Sequence, residues 1–335
     1  MGLRYGDKLQ IPAHFMPGAK SSIALGLGVE KNILVKTWGG LGDEICAEPT
    51  LRYLTRYRGR DGLRVFLAAE RPELFSHLQF DGIYNLKKEV VNFEAALLLE
   101  TITPPNDTNL VWQFMSHGLT NCVDFSSLCA LRMQLPTNVK DIRLFPKIEE
   151  ARATELLKYG QESIIIHAGK HWQSKTFPKS FWDAVLSEIK AKGVTPVLIG
   201  ADTDDNRSTV NVDSEGCIDL RNKTTVLEAI YLLKYAKVLL TNDSSPLHMA
   251  ASGHAWVGYI ATCKHPDYIT HWRNGQWQWR EVNFSKGGIW DLISIIPNNK
   301  EEVSLEFVPH KILESWLPDP VEYAGWAVSK LRDSR

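Results

Sequence analysis

The stretch Ile33-Leu34-Val35-Lys36-Thr37-Trp38-Gly39-Gly40-Leu41-Gly42-Asp43-Glu44-Ile45-Cys46-Ala47-Glu48-Pro49 constrains the fold more than any other part of the chain. It begins as the short apolar run of a buried strand. It then turns through three glycines and reaches a carboxylate where a helical pattern starts. Strand, glycine-rich turn and helix start together place a loop at the carboxyl edge of an open α/β sheet, where such folds hold ligands. Glycine admits close backbone approach, and the helix start offers unpaired N–H groups. Asp43 either caps that helix or does chemistry beside it. Gly40-Leu41-Gly42 opens like a dinucleotide fingerprint, but Ile45 stands where the third glycine belongs, so a Rossmann dehydrogenase fits poorly.

A chain of 335 residues suggests two domains. Hydrophobic residues make up 44% and charged residues 23%, enough for a sizeable core. With 38 Lys and Arg against 39 Asp and Glu, the formal net charge is -1, which implies no general grip on nucleic acid or acidic membranes. The five cysteines (Cys46, Cys122, Cys129, Cys217 and Cys263) form no C-x-x-C pair and read as reduced thiols of a cytoplasmic protein, with zinc disfavoured. The apolar run Ile23–Val29 is too short and too glycine-rich for a membrane span, and the leader lacks a signal-peptide layout.

Residues 1–30 read as an irregular extension. Short apolar runs then alternate with helical patterns, which argues for parallel sheets. The pattern resets around Leu144–Lys147, dividing a first domain over 31–147 from a second over 148–317, with a closing helical segment over 318–335. The second domain shows the alternation more clearly, in strands at Ser163–Ala168, Pro196–Ile199, Val238–Thr241 and Ala255–Ala261. From His265 to Trp290 the chain is rich in Trp, His and Arg and lacks clear periodicity. That segment suits stacking on sugar or base rings, or a flap packed on the domain.

Two loops after strands carry phosphate-suited chemistry. Asn242-Asp243-Ser244-Ser245-Pro246-Leu247-His248 leads into a helix with proline in its first turn and gathers hydroxyls, N–H groups and the helix dipole. His167-Ala168-Gly169-Lys170-His171-Trp172-Gln173-Ser174-Lys175-Thr176 brings two lysines to another strand end. Each has an ordinary reading, as a capping turn and as a solvated loop, but two from one domain are harder to dismiss. Asp202-Thr203-Asp204 is formally an Asp-x-Asp metal motif, a weak signal in an acidic loop.

These residues resemble the lipopolysaccharide heptosyltransferases of glycosyltransferase family nine. Gly42-Asp43 with Pro49 after Val35-Lys36-Thr37 resembles the amino-terminal motif of that family. His167-Ala168-Gly169 with Ser174-Lys175-Thr176-Phe177-Pro178 resembles its donor-phosphate loop, with Phe177 where Trp is usual. Thr241-Asn242-Asp243-Ser244-Ser245-Pro246-Leu247-His248-Met249-Ala250-Ala251 resembles its Asn-Asp-Thr-Gly-Pro-x-His-x-Ala-Ala signature, with Ser245 in place of Gly. The motifs keep the family's order and span about residues 31–262.

The resemblance implies a GT-B fold: two Rossmann-like α/β domains with parallel sheets facing a central cleft, the closing helix crossing back to the first. It implies an inverting, metal-independent glycosyltransferase that uses a nucleotide-sugar donor and no cofactor. By that analogy Asp43 is the catalytic base on the acceptor hydroxyl, in a cleft lined by Trp38, Gly39, Gly40 and Gly42. Ser174, Lys175, Asp243, Ser244, Ser245 and His248 hold the donor diphosphate, with Asp202 on a sugar hydroxyl. The acceptor is a glycan or another hydroxyl compound. Two other readings stand beside it: transfer to a modified nucleobase in DNA, which the near-neutral charge disfavours, and a non-catalytic nucleotide-sugar-binding protein.

Overall fold

The computed structural model describes residues 32–88, 97–100, 126, 129, 141–201, 209–292 and 307–333. The extension 1–30, Asp202 and most of the segment around Cys122–Leu131 lie outside the described residues. The chain divides into two compact units that meet in sequence between Phe145 and Pro146. No described helix is long and apolar enough to cross a membrane.

The first unit is built on β1 (Asn32–Thr37), α1 (Leu41–Thr55), β2 (Arg64–Ala69), β3 (Gly82–Asn85) and β4 (Leu97–Glu100). Its strands lie in the order β3-β2-β1-β4, all parallel. The chain runs from β1 outward to β2 and β3 and then returns to β4 on the other side of β1. The order therefore reverses beside β1, and the loop leaving its carboxyl end is the glycine turn. Leu34 and Val35 of β1 are buried, as are Val65, Leu67 and Ala68 of β2. Helix α1 begins two residues before Asp43 and continues through Pro49. Its inner face carries two fully buried glutamates that tie it to the rest of the unit. Glu44 accepts from Arg71 Nη1 at 2.6 Å and from the Glu70 N–H at 3.0 Å. Glu48 accepts from Arg52 Nε at 2.7 Å and from the Arg143 N–H at 2.8 Å.

The second unit contains α2 (Glu150–Glu162), β5 (Ile164–His167), α3 (Lys179–Ala191), β6 (Pro196–Leu198), β7 (Ile218–Asp219), α4 (Val226–Tyr235), β8 (Val238–Asn242), α5 (Ser245–Ala250) and β9 (Trp256–Ile260). After β9 come α6 (Pro266–Ile269), the strands β10 (Trp272–Arg273), β11 (Gln276–Trp277) and β12 (Glu281–Asn283), then α7 (His310–Ser315) and α8 (Pro320–Asp333). The main sheet has the order β12-β9-β8-β5-β6-β7, all parallel. Helices on both faces explain why Ile164-Ile165-Ile166 reads as an unbroken apolar run, since each side chain is almost wholly buried. Such burial contributes about 1.5–3 kcal/mol per side chain. Helix α4 opens with a reciprocal cap in which Thr225 Oγ1 accepts from the Glu228 N–H and Glu228 accepts from the Thr225 N–H.

In the Trp-rich segment β10 and β11 form a hairpin through Asn274-Gly275, and β12 pairs with β9 as the sixth strand of the sheet. The segment's strands are two or three residues long, too short for an alternating pattern to register. The closing helix α8, expected to cross back to the first domain, is packed into the second unit. Its apolar stripe Tyr323, Ala324, Ala327, Val328 and Leu331 is buried there, and Phe181 of α3 stacks on Tyr323. The Tyr323 hydroxyl donates to the Gly258 carbonyl at 2.8 Å, fixing the helix to β9.

Candidate functional site

In the first unit the candidate residues are mostly backbone. Gly39 adopts φ 108°, which side-chain-bearing residues rarely reach, and its carbonyl accepts from Arg71 Nη1 at 3.2 Å. Gly40 is the helix N-cap, and its N–H donates to Asp43 Oδ2 at 2.9 Å. Asp43 is thus the third helical residue reaching back to the cap, in a half-exposed position. Gly42 lies in the same first turn. Trp38 is half-buried, its Nε1 buried without a hydrogen-bond partner among the described residues, with Lys36 Nζ 5.7 Å from its ring centre.

The second unit gathers its candidates at the sheet's own reversal point. The chain passes from β5 to β6 and β7 on one side, then to β8, β9 and β12 on the other. The loops after β5 and β8 are therefore neighbours at the carboxyl edge, the place where ligands bind in open α/β sheets. Asn242 joins them, its Nδ2 donating to the carbonyls of Gly169 at 3.0 Å and Lys175 at 2.6 Å. Gly169 is required by that approach, because a Cβ there would lie 2.2 Å from Asn242 Oδ1.

Lys175 Nζ sits 3.6 Å from Asp243 Oδ2, with side-chain exposures of 11% and 3%, and 4.9 Å from the Trp172 ring centre. Among the described residues Oδ2 of Asp243 accepts no hydrogen bond. Burial acts to raise the Asp243 pKa, but Lys175, Lys264 and His248 together hold it below the usual carboxylate range. This is a buried carboxylate clasped by cations, with a lysine at the edge of solvent.

The remaining residues divide by what they touch. Ser174 is fully buried, and its carbonyl accepts from Thr262 Oγ1 at 2.6 Å, which anchors the loop. Ser244 caps α5, but its hydroxyl turns back toward the strand ends, 3.1 Å from both His167 Nδ1 and Asn242 Oδ1. Ser245 is the half-buried first residue of α5. His248 Nδ1 lies 2.8 Å from His271 Nε2, and His271 Nδ1 lies 3.0 Å from Glu281 Oε1. Burial first, then His271, push the His248 pKa well below its ordinary value.

His271 and Glu281 were not among the residues singled out by sequence, and His167 was named only as the first residue of a loop. His271 and Glu281 sit in the aperiodic Trp-rich stretch, where no strand pattern marked them as buried. His167 had one visible signal, a polar residue ending an otherwise apolar strand.

Residues 123–255 match the model of glycosyltransferase family 9 (heptosyltransferase). Over that segment the chain is similar to the family-nine glycosyltransferases. No curated protein matches the sequence. Among solved structures, the family-nine glycosyltransferase from Veillonella parvula DSM 2008 is 12% identical at a TM-score of 0.55, over 90% of this chain and 97% of that one. The iron-containing dodecameric glycosyltransferase TibC from enterotoxigenic E. coli H10407 is 15% identical at a TM-score of 0.59, over 91% of this chain and 77% of that one. TibC in complex with ADP-D-β-D-heptose is 16% identical at a TM-score of 0.61 over the same shares. At such identities the likeness is one of fold. The chain has the GT-B fold, with one parallel α/β sheet in each unit. The matched segment includes the Lys175 and Asp243 loops, while the glycine turn lies outside it.

Proposed function

We propose that the enzyme transfers a heptose-like sugar from a nucleoside-diphosphate sugar to an acceptor hydroxyl, with inversion and without a metal. The observation that carries this reading is the buried Lys175–Asp243 pair at the reversal point of the second sheet, beside Lys264 and His248. A leaving diphosphate needs positive charge held in a site shielded from water, where it acts most strongly. Lys175 and Lys264 supply that charge in the place of a cation, and Asp243 keeps Lys175 aimed. The solved complex of TibC with ADP-D-β-D-heptose supports an adenosine diphosphate donor.

Transfer to a hydroxyl also needs one base on the acceptor side, and Asp43 is the carboxylate of the glycine turn. Its hydrogen bond to the Gly40 N–H fixes the orientation of one oxygen and leaves the other available. The acceptor proton would pass to Asp43 as the acceptor oxygen attacks the anomeric carbon and the bond to the diphosphate breaks.

A panel of nucleotide sugars tested for thermal stabilisation checks the donor class, since a ligand at 100 times its dissociation constant stabilises by about 2.7 kcal/mol. ADP-heptose should stabilise and be consumed with an acceptor. Stabilisation without turnover on any acceptor would favour a binding protein, a reading supported by the cap that Asp43 makes. Strongly salt-dependent DNA binding would favour a nucleobase acceptor.

A further inference from the structure

His248 and His271 are joined through ring nitrogens 2.8 Å apart. At that distance one nitrogen donates and the other accepts, and the direction is decided one step further back. His271 Nδ1 lies 3.0 Å from Glu281 Oε1, and the His271 backbone N–H donates to Glu281 Oε2 at 3.0 Å. Carboxylate oxygens accept, so Nδ1 of His271 carries the proton, and in the neutral ring its Nε2 presents a lone pair. His248 must therefore donate through Nδ1, which leaves its Nε2 as an acceptor. The side chains of His271 and Glu281 are 3% and 0% exposed, and Arg273 Nη1 stands 3.7 Å from the same carboxylate oxygen. Neither the base role of Asp43 nor the charge of Lys175 calls for this buried chain of groups.

We infer that Glu281 and His271 are positioning residues that lock His248 in its Nδ1–H tautomer, so that His248 Nε2 takes up a proton from solvent when the donor's diphosphate enters the site. The inference rests on reading the Lys175–Asp243 site as the diphosphate site. The groups that act on His248 are His271, Asp243, Lys264 and Lys175. Before a diphosphate binds, burial and the two lysines oppose a second proton on the ring, and Asp243 favours it. A diphosphate brings negative charge to the lysines and reverses that balance. The imidazolium then faces the diphosphate through Nε2–H, and its charge is countered through His271 by Glu281. The proton returns to solvent when the nucleoside diphosphate leaves.

The first test reads ring nitrogens directly, by nitrogen-15 NMR of the histidine-labelled full-length protein. His248 should be protonated on Nδ1 and bare on Nε2. In Glu281→Gln the His271 backbone N–H retains the amide oxygen, which turns the amide NH₂ toward His271 Nδ1. Nδ1 must then accept, His271 donates through Nε2, and His248 is forced into the opposite tautomer. Glu281→Asp restores a carboxylate and should keep the wild-type tautomer, which separates this effect from a general loss of packing.

The second test is titration calorimetry with ADP in buffers of different protonation enthalpy. Wild type should take up close to one proton per ADP near neutral pH, and its affinity should fall by up to about tenfold per pH unit as pH rises. Glu281→Gln should lose both effects. A wild-type His248 protonated on Nε2, or an unchanged tautomer in folded Glu281→Gln, overturns the relay. ADP binding without proton uptake overturns the coupling. If ADP does not bind at all, the donor-site reading fails instead, and the ring-nitrogen spectra decide the relay by themselves.

Discussion

At the reversal point of the first sheet the chain presents backbone: three glycines, a half-buried Trp38 and one carboxylate hydrogen-bonded to its own helix cap. At the same point of the second sheet it presents side chains, each held by another. Asn242 spans two loops, Ser244 leans on His167, Lys175 pairs with Asp243, and His248 rests on His271 and Glu281. On the proposed function the difference follows from what each half must do. A charged diphosphate of constant chemistry rewards a rigid polar frame, because each fixed donor is aimed before the ligand arrives. An acceptor that need only offer a hydroxyl is served by open backbone and a single base. The family match also falls on the polar half.

The sharpest break in this contrast is Asp43→Asn, which keeps an oxygen for the Gly40 N–H but removes the base. Turnover should fall by about 10²–10⁴ with ADP affinity and melting temperature nearly unchanged. Equal turnover in a steady-state assay would reduce Asp43 to a cap. In the polar half, Gly169→Ala should damage the frame itself, because the added methyl would lie 2.2 Å from Asn242 Oδ1. We expect ADP binding to drop below detection by calorimetry while the far-ultraviolet circular dichroism stays near wild type. Lys175→Met should weaken ADP by about 10–100-fold, equivalent to about 1.5–3 kcal/mol for a hydrogen bond to a charged group. It should also destabilise the unit, since Asp243 would be left buried without its nearest cation.

Acid should act on the same frame. The pKa of His248 is lowered in the fold, so below about pH 6.5 the unfolded chain takes a proton that the native state refuses, and stability falls. The lowered pKa of Asp243 adds a second loss at lower pH, as the native carboxylate is finally protonated. Melting temperature measured from pH 8 to pH 3 should therefore decline in two stages, and His248→Gln should erase the upper one. The smallest effect is expected at the hairpin. Trp277→Ala removes a ring stacked on Trp272 at 6.4 Å and a bond to Thr270, at a cost of about 0.5–1.5 kcal/mol from the lost pair, with transfer rate kept.

Much of the frame was legible in the sequence because its signals are local. Apolar runs such as Ile164–Ile166 announce buried parallel strands. Lys175, Asp243 and His248 were legible for the same reason, since each lies in a short loop after such a strand. The partners that set their behaviour were not. Glu281 meets His271 across ten residues of irregular chain, and Glu44 meets Arg71 across a helix and a strand. A glutamate in sequence reads as surface, and only its burial against a distant cation reveals otherwise. The burial of Ser174 was hidden in the same way: its loop position reads as solvated, but Thr262 holds its carbonyl from across the fold.

The strand β12 has a consequence for how the protein is made. The second sheet opens with β5 at Ile164 but is not complete until Glu281–Asn283 pairs with β9, more than a hundred residues later in synthesis. Until then β9 is an unpaired edge, the kind of surface that joins other chains. Tyr323 of α8 reaches the same strand later still, at Gly258. A growing chain must therefore hold a half-finished side-chain frame, with His248 in place and His271 and Glu281 still to come. Translation that halts before Asn283 should release a fragment that aggregates through β9.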